Sequence, residues 1–427
     1  MRFSRDFRLF WTAAGTSKLG SGVTSVALPL VAVATLDAST FEVALLSAFT
    51  WLPWLIVGLP AGAWVDRLPR RPVMIVCDVL CLGLFVSVPV AWAFDALTMA
   101  HLLTVALLAG TATVFFHTAY QVYVPTLLPR ESVTDGNSRL QSTEAAAAVV
   151  GPGLAGVIAQ AAGAVFGLLL DAATFLISAL CLWRIRVPER LPARTPVPLR
   201  TEIAAGLRFV MRDPYLRVFA VFGGTSNLVL IGYQAVLVVF LIRTVGVGPG
   251  LVGLLIAVMS LGAIAGAALA PWVARRFGTA WGTLLCEIVL PPFGLLLPLA
   301  APGPRLWLAV AGGVLLTLGI AAGNVIKGTF RQTYTPHHLL GRVTVSMQLL
   351  NFGTIPLGAL LGGALGATIG LRPTMWVMMA GVACAGLVLL IGPIRADRNL
   401  PAHPLLVADP LGPQEFSTGE PVIHSRR

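Results

Sequence analysis

An all-α polytopic membrane protein is the fold class this sequence predicts: twelve transmembrane helices in two pseudo-symmetric six-helix bundles, with both termini cytoplasmic. Composition, the spacing of the apolar runs and the placement of the arginines carry that expectation. Of 427 residues, 57% are hydrophobic and only 11% are charged. A soluble chain carries about 25% charged residues, so this one could not cover its own surface in water. The 44 Gly and 30 Pro lie inside long apolar runs, which membrane helices tolerate and soluble helices do not.

Spans of the ~20 residues that a bilayer requires fall near 9–36, 41–65, 73–94, 99–127, 140–162 and 164–184. A second set follows near 215–242, 249–274, 279–300, 305–332, 344–369 and 372–394. The first span follows a basic N-terminus but lacks a small-residue cleavage site, so it reads as an uncleaved helix. The predicted units are a bundle over 1–184, a cytoplasmic linker over 185–214, a bundle over 215–394 and a disordered cytoplasmic tail over 395–427.

Charges inside a span are expensive, so each is a functional candidate. In helix 1, Gly15, Lys18, Gly22, Ser25 and Pro29 share a small, polar stripe that turns Lys18 toward a central cavity. There it would bind an anionic substrate group or neutralise a carboxylate, unless it snorkels to the inner surface. Helix 3 holds Asp78 within reach of the arginines in the preceding loop, with which it is expected to pair. Cys77 and Cys81 lie one turn apart there, too few ligands for a metal site.

Helix 4 sets Thr113, His117 and Gln121 on one face, where His117 either titrates near neutral pH or packs through a hydrogen bond. In helix 5, Glu144 shares a face with Gly151, and it can form a proton site together with His117. Asp171 in helix 6 stands alone among apolar residues, as does Glu287 in helix 9. Asn227 and Gln234, seven apart on helix 7, are expected to line the cavity. In helix 10, Gly323, Lys327 and Arg331 follow one another at a spacing of four and point inward near the cytoplasmic end.

Between the halves, Pro188, Pro192, Pro196 and Pro198 prevent a single helix. Leu199, Ile203, Leu207 and Val210 then recur at helical spacing and predict an amphipathic helix on the inner leaflet.

The net charge of +11 comes from 27 Arg and two Lys against 18 acidic residues. With the N-terminus inside, 24 Arg fall on the cytoplasmic side and only Arg243, Arg305 and Arg372 outside. That split follows the positive-inside rule and not the pattern of a nucleic-acid surface. Gln121-x-Tyr123-x-Pro125 ends helix 4 and recurs as Gln332-x-Tyr334-x-Pro336 at the end of helix 10, an offset of 211, half the chain. The Pro152 and Pro356 regions repeat one another as well, as a duplicated six-helix unit would.

Loop 2–3 reads Gly62-Ala-Trp-Val-Asp66-Arg67-Leu68-Pro69-Arg70-Arg71. It is similar to the Gly-x-x-x-Asp-Arg-x-Gly-Arg-Arg signature of the major facilitator superfamily, with Pro69 in place of the second Gly. The ALPLVAV run of helix 1 and the GLRFVMRDPYLR stretch before helix 7 resemble the branch of macrolide-efflux and enterobactin-exporter-like permeases, over roughly 5–395. The resemblance implies a cytoplasmic gate latch in which Asp66 is the anion and Arg67, Arg70 and Arg71 its partners, with Asp78 nearby. The equivalent place in the second half, Gly266-x-x-x-Ala270-Pro271, lacks the Asp. Gly151-Pro152-x-x-Ala155-Gly156 resembles an antiporter signature, and Pro152 with its glycines allows bending and close helix contact. Proton-coupled exporters of the superfamily often carry an Arg in mid-helix 4. Val105, Ala106 and Ala109 occupy those positions here.

The expected function is export of an amphipathic small organic molecule, such as a drug, macrolide or siderophore-like metabolite, by alternating access and proton antiport. A nutrient symporter or facilitator and a lipid flippase on the same fold are the alternatives. No phosphate-binding Gly-x-x-x-x-Gly-Lys-Ser/Thr loop occurs, no cofactor is called for, and scattered His residues do not make an enzyme. The expected partners are the substrate, protons and the bilayer, and a monomer suffices.

Overall fold

The computed structural model describes residues 4–65, 68–128, 132–187 and 199–401, and every regular element among them is helical. Helix α1 (Arg5–Ala34) is capped by Ser4, whose side chain accepts from the Phe7 amide. Helix α2 (Thr40–Ile56) starts in a capping box between Ser39 and Glu42 and is followed by α3 (Gly58–Val65). One continuous helix was expected over 41–65. Pro60 lacks an N–H and its ring meets the carbonyl four residues back, that of Ile56, where the helix breaks. Helices α4 (Arg70–Ala93), α5 (Met99–Leu127), α6 (Val133–Ala161) and α7 (Ala164–Trp183) complete the first half.

The second half opens with α8 (Leu199–Arg212) and α9 (Pro214–Val239), the latter continued by a π turn over Phe240–Thr244. Helix α10 (Pro249–Phe277) is regular. The span expected over 279–300 is instead built from three pieces: α11 (Thr279–Leu284), a π turn over Leu285–Val289 and a 3-10 segment over Pro291–Leu299. Pro291 and Pro292 withhold the amide hydrogens that the carbonyls of Glu287 and Ile288 would take in an α-helix. Helices α12 (Leu306–Tyr334), α13 (His337–Thr368), α14 (Leu371–Ala385) and α15 (Val388–Ile391) follow. Among the described residues, eleven segments are long and apolar enough to cross a membrane, and α2 is a shorter apolar helix of 17 residues.

Each half packs chiefly on itself. Helix α1 lies on α6 and α7, and α4 on α5 and α7; in the second half α9 lies on α13 and α14, and α10 on α12. The α1–α6 contact is thus repeated by α9–α13. Among the described residues the halves are joined chiefly by α6 with α10 and α2 with α13, and α9 also touches α2 and α1.

One face of the molecule is rich in arginine. There Arg71 donates from Nε to the Leu182 carbonyl (2.8 Å) and from Nη2 to that of Trp183, covering the open end of α7. Arg398 treats α10 the same way, bonding the carbonyls of Arg276 (2.8 Å) and Phe277 (3.2 Å). Cations at helix C-termini satisfy orphan carbonyls and oppose the helix dipole. Arg398, Asn399 and Leu400, placed by the sequence reading at the start of a disordered tail, are docked on Arg276–Thr279. Helix α8 packs against α9 and α13, burying Phe209 and Val210, so this face of the linker helix meets protein and not lipid.

Candidate functional site

The face opposite the arginines is closed by contacts between the halves. Arg243, after α9, reaches Asp37, after α1, at 2.7 Å. A Cβ added to Gly156 of α6 would stand 2.8 Å from the Gly253 Cα of α10 and 3.0 Å from the Gly250 carbonyl oxygen. A Cβ on Gly366 of α13 would stand 2.7 Å from the Thr40 methyl of α2. At Gly156 only glycine permits such approach of one backbone to another.

Toward the arginine-rich face the halves diverge. The side chains of Lys18 and Glu144 remain 36% and 55% exposed there, although both belong to helices that cross the core of the first half. In the second half a cavity of about 340 Å³ is lined by Phe222, Asn227, Glu287, Lys327, Arg331 and Phe352, among others. An aromatic cluster spans the divide above it. Phe352 of α13 lies 5.2 Å from Trp54 and 5.9 Å from Trp51, both on α2, and Trp54 meets His117 edge-on at 5.2 Å.

The candidate residues fall into three polar groups. Lys18 donates to Glu144 at 2.5 Å, joining α1 to α6, and His117 faces this pair while contacting Gln121 at 3.4 Å. Lys327 donates to Glu287 at 2.5 Å, so Glu287 does not stand alone as expected. The π turn at 285–289 carries this glutamate, and Gly323, one turn before Lys327, leaves room for its carboxylate.

Asp171 is the third, only 1% exposed. It accepts from the hydroxyls of Thr24 and, at 3.0 Å, Thr174, and Gly20 leaves the space that carboxylate occupies. Asp171 is therefore not surrounded by apolar groups alone. Asp78 is also 1% exposed and faces Ser178 of α7. Its expected pairing with the loop arginines is not formed among the described residues. It lies two turns deeper than Arg71, whose guanidinium is drawn to the nearer carbonyls of α7.

Arg70 is buried at the start of α4, while Asp66 and Arg67 lie outside the described residues. Asn227 lines the cavity and donates to the Asn351 carbonyl at 3.4 Å. Gln234 is exposed and does not line it. Gly151 packs against Gly22 of α1 and Gly156 against α10, so the two glycines of one motif serve two different helix contacts, on either side of Pro152.

The family profile of transmembrane secretion effectors matches residues 3–411. The chain belongs to that family, within the major facilitator superfamily. Its curated relatives include the multidrug efflux pump Tap of Mycolicibacterium fortuitum, 28% identical over 92% of this chain and 97% of that protein. The enterobactin exporter EntS of Salmonella typhi is 28% identical over 92% and 94%. In fold, this secretion effector resembles a bacterial homologue of the iron transporter ferroportin. The inward-facing structure of that protein matches with a TM-score of 0.74 at 15% identity, over 92% of this chain and 99% of that one. Its outward-facing structure matches at 0.62 and 16% identity, over 91% and 99%. The family member described here is a multi-pass membrane transporter, not an enzyme.

Sequence reasoning missed Trp51, Trp54 and Phe352, the Asp37–Arg243 pair, and buried Asp213. Asp213 directly precedes Pro214 and caps α9 by accepting from the amides of Tyr215 and Leu216. The Asp-Pro step was a readable helix-start signal. The aromatic cluster left no signal, because it is assembled from α2, α5 and α13.

Proposed function

We propose that this chain is a secondary exporter of amphipathic small organic molecules, working by alternating access and driven by proton entry. The observation that carries this reading is the asymmetry of closure: a seal of glycine contacts and an ion pair on one face, and an accessible polar cavity toward the other. The positive-inside rule makes the arginine-rich face cytoplasmic, so the cavity loads from the cytoplasm. The better fit to an inward-facing relative than to its outward-facing form supports the same state. Export is also what the names of the Tap and EntS relatives describe. Taking α2 and α3 as one span gives twelve crossings, with both termini inside and the bundles 1–184 and 215–394 rocking about the linker.

Among the acidic candidates, Glu144 and Glu287 each have a lysine partner, whereas Asp171 has only hydroxyls among the described residues. A carboxylate at bilayer depth without a counter-charge is held best with a proton on it. We assign proton binding to Asp171, with Asp78 as its neighbour on the same side of α7. The Lys18–Glu144 pair holds α1 to α6 in the cavity-open state.

Inside-out vesicles with an acid interior and a fluorescent pH probe test this. A panel of amphipathic compounds should trigger proton release with wild type and with Glu144→Gln, but not with Asp171→Asn. Release that persists in Asp171→Asn removes the proton from that site. No release from wild type with any compound defeats proton antiport.

A further inference from the structure

We propose that the cavity of the second half receives the anionic group of an amphipathic acid. Arg331 is its counter-charge, and Phe352 with Trp51 and Trp54 seats the apolar body. The assignment rests on the export reading above and narrows it to a class of cargo.

The charges lining the cavity do not cancel. Lys327 is answered by Glu287 at 2.5 Å and also lies 4.4 Å above the Phe222 ring. Arg331 forms no ion pair among the described residues, and its buried Nε has no hydrogen-bond partner. A guanidinium cannot shed its proton, so its charge at a low-dielectric wall is met only by an anion brought to it. Its planar fork suits carboxylate, sulfonate and phosphate alike. The Asn351 side-chain oxygen, on the same wall, is also without a partner among the described residues. It can accept a hydrogen bond from a hydroxyl or amide next to the acid.

Phe352 follows Asn351 directly and links this polar wall to the aromatic shelf. Rigid aromatic faces hold an apolar body with little loss of side-chain entropy. The wall offers an organic cation no equivalent welcome, because Glu287 is taken by Lys327. The anion could belong to the cargo or to a lipid headgroup; we assign it to the cargo, since the shelf beside it fits a compact ring system.

The test uses the purified full-length chain in phosphatidylcholine nanodiscs and follows quenching of tryptophan fluorescence. The probes share one body: 2-naphthoate, 2-naphthamide and 2-naphthylmethylammonium. Wild type should bind the acid about tenfold more tightly than either other probe. Arg331→Gln should abolish that preference, while Arg331→Lys should keep part of it. Equal binding of the three probes by wild type, or an unchanged preference in Arg331→Gln, overturns the proposal. Loss of naphthoate binding when phosphatidylglycerol is added shows a headgroup in the site and overturns it too. The binding readout is independent of transport. Acid-selective binding without proton release would defeat antiport and leave this inference standing. Proton release triggered only by amines would do the reverse.

Discussion

Arg243 holds Asp37 at 2.7 Å across the sealed face, joining a turn of the first half to a turn of the second. Asp37 has a positive φ of 47°, a conformation that Asp and Asn tolerate better than most residues. Asp37→Asn should therefore keep the turn and remove the charge. The carboxylate is almost fully exposed, so the pair stabilises the sealed state by no more than about 1 kcal/mol. The population open on this face should rise by about fivefold at most. Distances between spin labels on the α1–α2 and α9–α10 turns would report it, and an unchanged distribution would remove the pair from gating.

Gly156 is the tighter constraint. Gly156→Ala places a methyl 2.8 Å from the Gly253 Cα and must part α6 from α10. Overpacking of this kind costs about 1–3 kcal/mol, charged here to the sealed state alone. Thiol labelling of that face should rise and transport should slow. Gly153→Ala, whose Cβ would meet Ala257 at an ordinary 3.7 Å, should leave both unchanged.

Tyr334 donates to Asp213 Oδ2 at 2.7 Å, and Asp213 is fully buried. Tyr334→Phe strands that oxygen and should lower stability by about 1–3 kcal/mol, seen as a lower melting temperature in detergent. Asp213→Asn should be milder, because its amide can donate to the phenol oxygen while its carbonyl oxygen still caps α9.

The Lys327–Glu287 pair should behave non-additively. Glu287 is 3% exposed, so removing either partner leaves a buried charge and costs about 3–5 kcal/mol. Replacing both by Gln should cost less than either single change. Additive melting shifts in the four-protein cycle would show that the two do not depend on each other.

The spans and the arginine asymmetry were legible because hydropathy and loop charge act locally along the chain. Partners were not. A helical stripe fixes the face a residue occupies but not the rotation of the neighbour it meets, so Lys18 could be set on a polar stripe without its partner, 126 residues away, being named. Glu287 was read as isolated because Lys327 belongs to another helix, and the π turn that presents it has no hydropathy mark. One clue was available. Asp78 and Glu287 stand 209 positions apart, close to the 211 offset of the repeated Gln-x-Tyr-x-Pro, which marks both as the acid of equivalent helices.

Along Gly22–Gly151 and Gly156–Gly253, α6 meets its neighbours backbone to backbone. No rotamer has to change for such surfaces to glide, so α6 acts as a smooth bearing and not a toothed gear. The likeness holds for Gly156 on α10, where nothing has to unmesh, whereas on α1 the same helix is also pinned by Lys18 and Glu144.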